Sequence, residues 1–245
     1  MKDFLQDLVS HTHSLGILPL LKVSTYDDHV EVDSIADDKS VMFHAKTHTS
    51  IPGIESIFGM PNLNKLDLYL KCPEYAKDAV LTVVHETRNG VQQPVGLHFT
   101  NATNDFENDY RFMSREIIEA KIKKLVSLTD LTYDLEFKPE SANVTRLKFQ
   151  AAVHTEEIVF QTSSDSNNNL IFTFGDESTH AGTFVFQTGL NYKLKNTWSW
   201  PISTLLSILN LDGTITMKIS DQGVLQIIVE SDIATYTYTL PAQTK

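Results

Sequence analysis

The chain has 245 residues, of which 41% are apolar and 21% charged, so it is long enough for one large domain or for two of roughly 120 residues each. It contains no run of 18 apolar residues, so no transmembrane helix is expected, and its acidic first residues do not fit a secretory signal. The single cysteine, Cys72, has no partner for an internal disulfide. We therefore expect a globular protein of a reducing, cytoplasmic setting.

The net charge of −11, from 20 basic and 31 acidic residues, is spread unevenly. Residues 1–113 carry a net charge of −7 and residues 131–245 a net charge of −5, whereas residues 114–130 carry +1. An acidic chain argues against nonspecific binding to nucleic acid, unless its basic residues are concentrated on one surface.

Hydrophobic periodicity in the first half predicts a helix followed mainly by strands. Apolar residues at helical spacing favour a helix over 3–15, ended by Gly16, and Asn89-Gly90 is typical of a hairpin turn. Proline in the first turn predicts a short helix over 51–60. Alternation with a period of two predicts strands over 17–24, 29–35, 40–47, 63–71, 79–86, 91–100 and 109–113.

Residues 114–126 break this pattern, because four apolar residues alternate with basic ones, and either an amphipathic helix or an extended connector fits. A helix is predicted over 139–153, with two competing apolar stripes, Val144/Leu147/Ala151 and Ala142/Phe149/Val153. A short helix is predicted over 201–209, and strands over 131–138, 157–162, 169–174, 182–189, 213–220, 223–230 and 233–240.

The second half repeats the element order of the first. Ser50-Ile51-Pro52 and Ser199-Trp200-Pro201 each open a predicted short apolar helix that leads into an alternating strand. We therefore predict two domains of similar topology, 1–113 and 131–245, joined by a connector over 114–130.

The sequence has no recognisable catalytic chemistry. It lacks a His-Glu-x-x-His pair, a glycine-rich phosphate loop and a nucleophile elbow, and its nine histidines show no metal-ligand spacing. Its paired carboxylates lie in predicted turns, where acidic residues favour local hydrogen bonds. We expect no enzymatic activity, no metal site and no cofactor.

Two similar α+β domains in an acidic chain resemble the subunit of a trimeric DNA polymerase sliding clamp, as in T4-like bacteriophages. The local resemblance is strongest over Trp198–Leu240, with Ile202-Ser203-Thr204-Leu205-Leu206 and the closing Tyr236-Thr237-Tyr238-Thr239-Leu240-Pro241. The resemblance implies the DNA clamp fold, in which each domain packs two helices on a curved antiparallel sheet. It implies a homotrimeric ring that encircles duplex DNA without reading sequence, tethers the replicative polymerase and is opened by a clamp-loader ATPase.

The same resemblance implies three sets of functional residues. Helix positions facing the DNA would be Lys2, Gln6, Ser10, His13, Arg146 and Lys148. A groove for partner peptides would be lined by Ile117, Ile118, Ile122, Leu125, Tyr238, Leu240 and Pro241. The subunit interface would pair strand 109–113 with strand 183–188 of the next copy, with Tyr110, Phe112, Phe184 and Phe186 beside the new ladder.

Several alternatives remain open at the level of sequence. The chain also fits a duplicated β-rich structural protein of a virion, or a small-ligand-binding β protein whose pocket is lined by Trp198, Trp200 and the C-terminal tyrosines. The isoleucines of the connector fit packing onto their own domain equally well. Arg146 and Lys148 also fit ordinary solvated helix positions.

Overall fold

The computed structural model describes residues 1–88, 90–122, 131–176, 178 and 180–243. The chain divides into two compact units, the first comprising Met1–Val126 with Ser231–Tyr236 and the second comprising Ser127–Glu230 with Thr237–Lys245. The connector prediction for 123–130, which includes Leu125, lies outside the described residues.

The described part of the first unit contains three α-helices and seven complete strands, together with the start of the last strand of the chain. The helices are α1 Lys2–Ser10, α2 Leu63–Lys71 and α3 Arg115–Lys121. The strands are β1 Leu20–Thr25, β2 Val30–Ile35, β3 Met42–Thr47, β4 Ile57–Pro61, β5 Val80–Arg88, β6 Val91–Thr100 and β7 Glu107–Arg111. They form two antiparallel arrays, in the orders β4-β1-β2-β3 and β5-β6-β7.

The second unit repeats this succession. Its helices are α4 Ser141–Val153 and α5 Ile202–Leu209. Its strands are β8 Leu135–Phe137, β9 Val159–Ser164, β10 Leu170–Phe174, β11 Gly182–Gln187, β12 Trp198–Pro201, β13 Thr214–Ser220, β14 Val224–Glu230 and the end of β15 Ala234–Pro241. The order β11-β10-β9-β12 matches β3-β2-β1-β4, and β8 pairs with β13, which pairs with β14.

Both units therefore share the succession of a helix, four strands, a second helix and further antiparallel strands, and in the second unit β8 precedes the first helix. The antiparallel sheets with few helices confirm the predicted α+β class. The first predicted helix ends somewhat early, at Ser10, and a single 3-10 turn leads to Gly16 at φ 70°. Glycine is suited to that left-handed conformation because it has no Cβ.

Two adjacent predictions in the first unit are wrong. Residues 51–60 form a loop followed by β4, and Gly53 and Ser56 have positive φ values of 82° and 69°, which a helix does not allow. Residues 63–71 form α2, not a strand, because Leu63, Leu66 and Leu70 fall on one helical face and are buried, whereas Leu68 is 64% exposed.

The register proposed for the internal repeat changes accordingly. The counterpart of Pro201, which ends β12 before α5, is Pro61 at the end of β4, close before α2. The sequence comparison matched Pro201 with Pro52 instead. The duplication is thus more regular in the structure than the sequence pattern indicated.

A buried polar cluster anchors residues 231–236 in the first unit. The Asp7 carboxylate accepts hydrogen bonds from the Ser231 hydroxyl at 2.7 Å and the Tyr236 hydroxyl at 2.6 Å. His11 lies 3.2 Å from the same carboxylate, and its ring stacks on Tyr236 with centroids 4.0 Å apart. The His48 amide donates to the Ile233 carbonyl. The start of the last strand, up to Tyr236, is therefore part of the first folded unit.

Candidate functional surfaces

The two helices α1 and α2 pack side by side and leave a groove of about 280 Å³ between them, lined by both polar and apolar side chains. Three residues predicted to face DNA line it, namely Gln6, Ser10 and His13. The structure adds Ser14 and Lys71, and Lys71 was missed because 63–71 was predicted to be a strand. Lys71 also pairs with Asp67 at 2.8 Å.

Lys2 has a structural contact that the sequence did not reveal. Its ammonium group donates to the Tyr75 carbonyl at 2.5 Å and to the Ala76 carbonyl at 3.5 Å. These bonds tie the start of α1 to the turn after α2, and Lys2 does not line the groove. Lys2 is therefore less available to a ligand than its position on an exposed helix start predicted.

The second unit has a corresponding groove of about 430 Å³ between α4 and the region of α5 and β13. It is lined by Lys138, Ser141, Thr145 and Lys148 on its polar side. Lys148 was predicted from the sequence. Arg146 is exposed but lies outside this lining, and its guanidinium donates to the Asn143 side chain at 3.3 Å.

The charge of these helices differs from that of the chain. Helices α1, α2, α4 and α5 carry five Lys or Arg and three Asp, and α5 carries no charge. Their net charge is +2 in a chain whose net charge is −11. Hydroxyl, amide and scattered basic side chains suit contact with a phosphate backbone without base recognition.

The strands predicted to form the subunit interface end their sheets. In the described part of the chain, β11 has β10 as its only strand neighbour, and β7 has β6 along Glu107–Arg111. Beyond that range, Met113 bridges to Gly59. The sequence of β11 has no charged residue.

The four apolar residues of these strands are not equivalent. Tyr110 and Phe186 are core residues, because they are 3% and 0% exposed within their own units. The Tyr110 hydroxyl donates to the Pro61 carbonyl, and burial raises the pKa of this phenol. Phe112 and Phe184 are half-buried, and Phe112 stacks on Phe58 at 4.1 Å.

The structure corrects the predicted peptide groove. Tyr238 and Leu240 are fully buried core residues, so their side chains cannot line an open groove. The tail continues as paired backbone, with the Ala242 amide donating to the Gly223 carbonyl and the Gln243 amide to the Ser199 carbonyl. Pro241 is exposed.

The connector is helical over α3 and packs onto its own unit. Ile118 and Ile122 are 0% and 5% exposed, whereas Ile117 is 50% exposed. A Cβ on Gly59 would lie 2.9 Å from the Ile118 side chain, so the close approach of α3 to β4 requires glycine. Packing onto its own unit, one of the two alternatives from the sequence, accounts for Ile118 and Ile122.

The small-ligand alternative loses most of its proposed pocket lining, and of that set only Trp198 is partly exposed. Trp200, Tyr236 and Tyr238 are all 0% exposed, and the Trp200 indole donates to the Thr162 hydroxyl at 2.9 Å. Among the described residues, no group of three or more His, Cys, Asp or Glu side chains is arranged to hold a metal ion. Within that same part of the chain, no helix is long and apolar enough to span a membrane.

The sequence matches no protein-family profile and no curated protein. Solved structures do match over the whole chain. Proliferating cellular nuclear antigen from Entamoeba histolytica superposes with a TM-score of 0.69 at 12% identity, covering 98% of this chain and 96% of that one. PCNA from A. fulgidus, with the C-terminal region of FEN-1 bound, gives a TM-score of 0.69 at 10% identity, covering 100% and 96%. The chain has the sliding-clamp fold of these PCNA structures.

Proposed function

We propose that three copies of this chain form a ring that encircles duplex DNA and tethers the replicative polymerase. The observation that carries the proposal is the likeness to PCNA over 98–100% of the chain, with the clamp's duplicated succession of helices and strands. A ring of this kind acts as a topological tether and needs no catalytic residue. It raises the polymerase concentration at the primer end.

The helix surfaces are the proposed DNA contacts. Gln6, Ser10, His13 and Lys148 keep this role, and Lys71 and Lys138 join them because they line the same two grooves. Lys2 and Arg146 are secondary candidates, since neither lines these grooves. The acidic remainder of the chain repels DNA elsewhere, which favours loose contact compatible with sliding.

Ring closure is proposed to join β7 of one copy to β11 of the next in an antiparallel ladder. Both strands are sheet edges, and an open edge promotes uncontrolled pairing with other chains. Half-buried Phe112 and Phe184 become covered in this arrangement, whereas the side chains of Tyr110 and Phe186 already pack in the cores of their own units.

Proline at Val185 tests this joint, because proline cannot donate to a strand ladder. We expect Val185→Pro to shift the assembly from trimer to monomer in sedimentation velocity. Circular dichroism confirms that the variant remains folded. A folded variant that still sediments as a trimer contradicts the placement of the joint at β11.

The partners proposed are the polymerase and a clamp-loader ATPase, which is required because the chain has no recognisable nucleotide motif. In the A. fulgidus structure, PCNA binds the C-terminal region of FEN-1. By analogy, a peptide segment of the polymerase is the proposed ligand. Ile117 and Pro241 are exposed candidates for contacting it, and Leu125 remains a candidate by sequence. A bacteriophage origin, with activity in the host cytoplasm, remains part of the proposal.

The decisive experiment compares retention on circular and linear DNA. The chain is loaded with its cognate loader onto a nicked circle, and half of the sample is then linearised. A topological tether stays on the circle through a high-salt wash and slides off the linear ends. Equal loss from both templates overturns the proposed function.

A further inference from the structure

Strand β5 is an open sheet edge in the first unit, whereas its counterpart in the second unit is covered. The order β5-β6-β7 corresponds to β13-β14-β15, and in the second unit β8 pairs with the outer side of β13. Among the described strands, β5 has β6 as its only neighbour. The duplicated fold therefore has one strand position that is occupied in the second unit and exposed in the first.

The register of the two hairpins matches β5 to β13 residue by residue. Val83 pairs with Leu97, three residues before the end of β6. Met217 pairs with Ile227, three residues before the end of β14. Val83 therefore corresponds to Met217, and the residue after each, Val84 and Lys218, correspond as well.

The open edge leaves apolar side chains of β5 partly in water. Met217, which pairs with Phe137 of β8, is fully buried, whereas Val83 at the same position is only half-buried. None of the residues 80–87 is buried, and Val80 is 53% exposed. The missing burial in β5 is what the absence of a covering strand produces.

The edge also lacks the devices that protect most sheet edges. Residues 80–84 are Val, Leu, Thr, Val and Val, without a charged residue or a proline. A shift in register between Val84 and His85 ends the regular ladder. The segment able to receive a further strand is therefore Val80–Val84, which we call the β5 edge.

The second unit shows what kind of segment covers such an edge. Strand β8 is Leu135-Glu136-Phe137 and lies antiparallel to β13, with its two apolar side chains 2% and 8% exposed. The intervening Glu136 carboxylate pairs with the Lys218 ammonium at 3.1 Å. Two apolar residues at alternate positions thus complete the sheet, and the residue between them faces the next strand on the other side.

We infer that the β5 edge is a docking site for a short extended segment of a partner protein, with apolar residues at alternate positions. The segment lies antiparallel to β5 and exchanges backbone hydrogen bonds with it, as β8 does with β13. A second copy of the chain is disfavoured as the occupant, because two copies with a net charge of −11 each repel one another. The site belongs to a single copy, so the inference does not depend on the proposed ring.

The first test uses a fluorescein-labelled peptide with the sequence of residues 132–139, Thr-Tyr-Asp-Leu-Glu-Phe-Lys-Pro, as the probe. Titration with the full chain in fluorescence anisotropy should show saturable binding with a dissociation constant below about 1 mM. Serine in place of the leucine and the phenylalanine of the peptide should weaken binding at least about tenfold. The absence of saturable binding, or equal binding of both peptides, overturns the docking site.

Val84→Lys tests the register of the docked segment. Because Val84 corresponds to Lys218, the new side chain can form the pair that Lys218 makes with Glu136, and the peptide should bind about two- to fivefold more tightly than to wild type. A peptide with lysine in place of its glutamate should bind the variant more weakly. Val91→Lys is the matched control, since it adds the same charge at a 59% exposed position of β6 and should not separate the two peptides. An equal response of both variants overturns the placement on β5.

Amide hydrogen exchange of the wild-type chain locates the site and distinguishes the occupants. With saturating peptide, exchange should slow at residues 80–84 and stay unchanged along β13, which β8 already covers. Protection confined to another segment overturns the assignment to the β5 edge. Protection of residues 80–84 without peptide, lost when the chain is diluted, identifies a second copy as the occupant and overturns the partner segment.

Discussion

Replacing Asp7 with asparagine should destabilise the first unit markedly. Asp7 is a helix residue with 16% side-chain exposure, and its carboxylate holds Ser231, Tyr236 and His11 together. Asparagine keeps one acceptor oxygen but loses the charge, which roughly halves the strength of each hydrogen bond. Two hydrogen bonds and the histidine contact then lose about 2–3 kcal/mol in total.

The dependence on pH distinguishes this charge from simple packing. Burial by itself raises the pKa of the Asp7 carboxyl, but hydrogen bonds from His11, Tyr236 and Ser231 outweigh it and lower the pKa below its usual value. A lowered folded-state pKa gives stability that is present above the unfolded-state value of about 3.9 and lost as the pH falls through the folded value. The difference between wild type and Asp7→Asn should therefore shrink below about pH 4.

Urea unfolding at pH 7 and at several lower pH values measures this effect, with hydrogen exchange of residues 231–236 as a local probe. The matched control is Asp67→Asn on α2, whose partner Lys71 is 73% exposed. That surface pair should contribute less than about 1 kcal/mol. A loss at Asp7→Asn no larger than the control, or a loss that is constant with pH, refutes the reasoning.

Three further outcomes follow from the same structure. Leu240→Ser should lower the free energy of unfolding of the second unit by about 3–5 kcal/mol, measured in urea, because Leu240 is 0% exposed. A stable variant that only loses polymerase binding would contradict this. Gly59→Ala should loosen α3, whose Ile118 would lie 2.9 Å from the new Cβ, and limited proteolysis near the connector should accelerate; unchanged proteolysis would count against the contact. The hydrogen bond with Asp33 raises the pKa of His44 in the folded state. The His44–Asp33 pair therefore stabilises the fold fully below the unfolded-state pKa of about 6.5, and this stabilisation is lost as the pH rises through the higher folded-state pKa. Urea titrations of His44→Gln against wild type should show a gap that closes at alkaline pH, and a gap independent of pH would exclude the ion pair.

Much of the first unit was predictable because its elements bury one face at a regular period. The alternation in Val30–Ile35 and Met42–Thr47 and the Asn89-Gly90 turn between β5 and β6 determine strands and a hairpin locally. Helix α2 was misread because Leu66, Leu68 and Leu70 alternate perfectly, while burial selects Leu63, Leu66 and Leu70. The same run of leucines fits both the strand period of two and the helical period of 3.6 residues, and only the surface that the segment packs against decides between strand and helix.

For the candidate functional surfaces too, some features were predictable from the sequence and others depended on the tertiary structure. The sequence by itself determined the duplication, the acidic balance and the presence of two apolar stripes on α4, because these are properties of residue order and count. Tertiary structure alone decided that Leu240 and Ile118 are buried, that Lys2 is bound to backbone carbonyls, and that the Phe149 stripe stays uncovered. Exposure and partnership depend on residues far away in the chain, and periodicity carries no information about them.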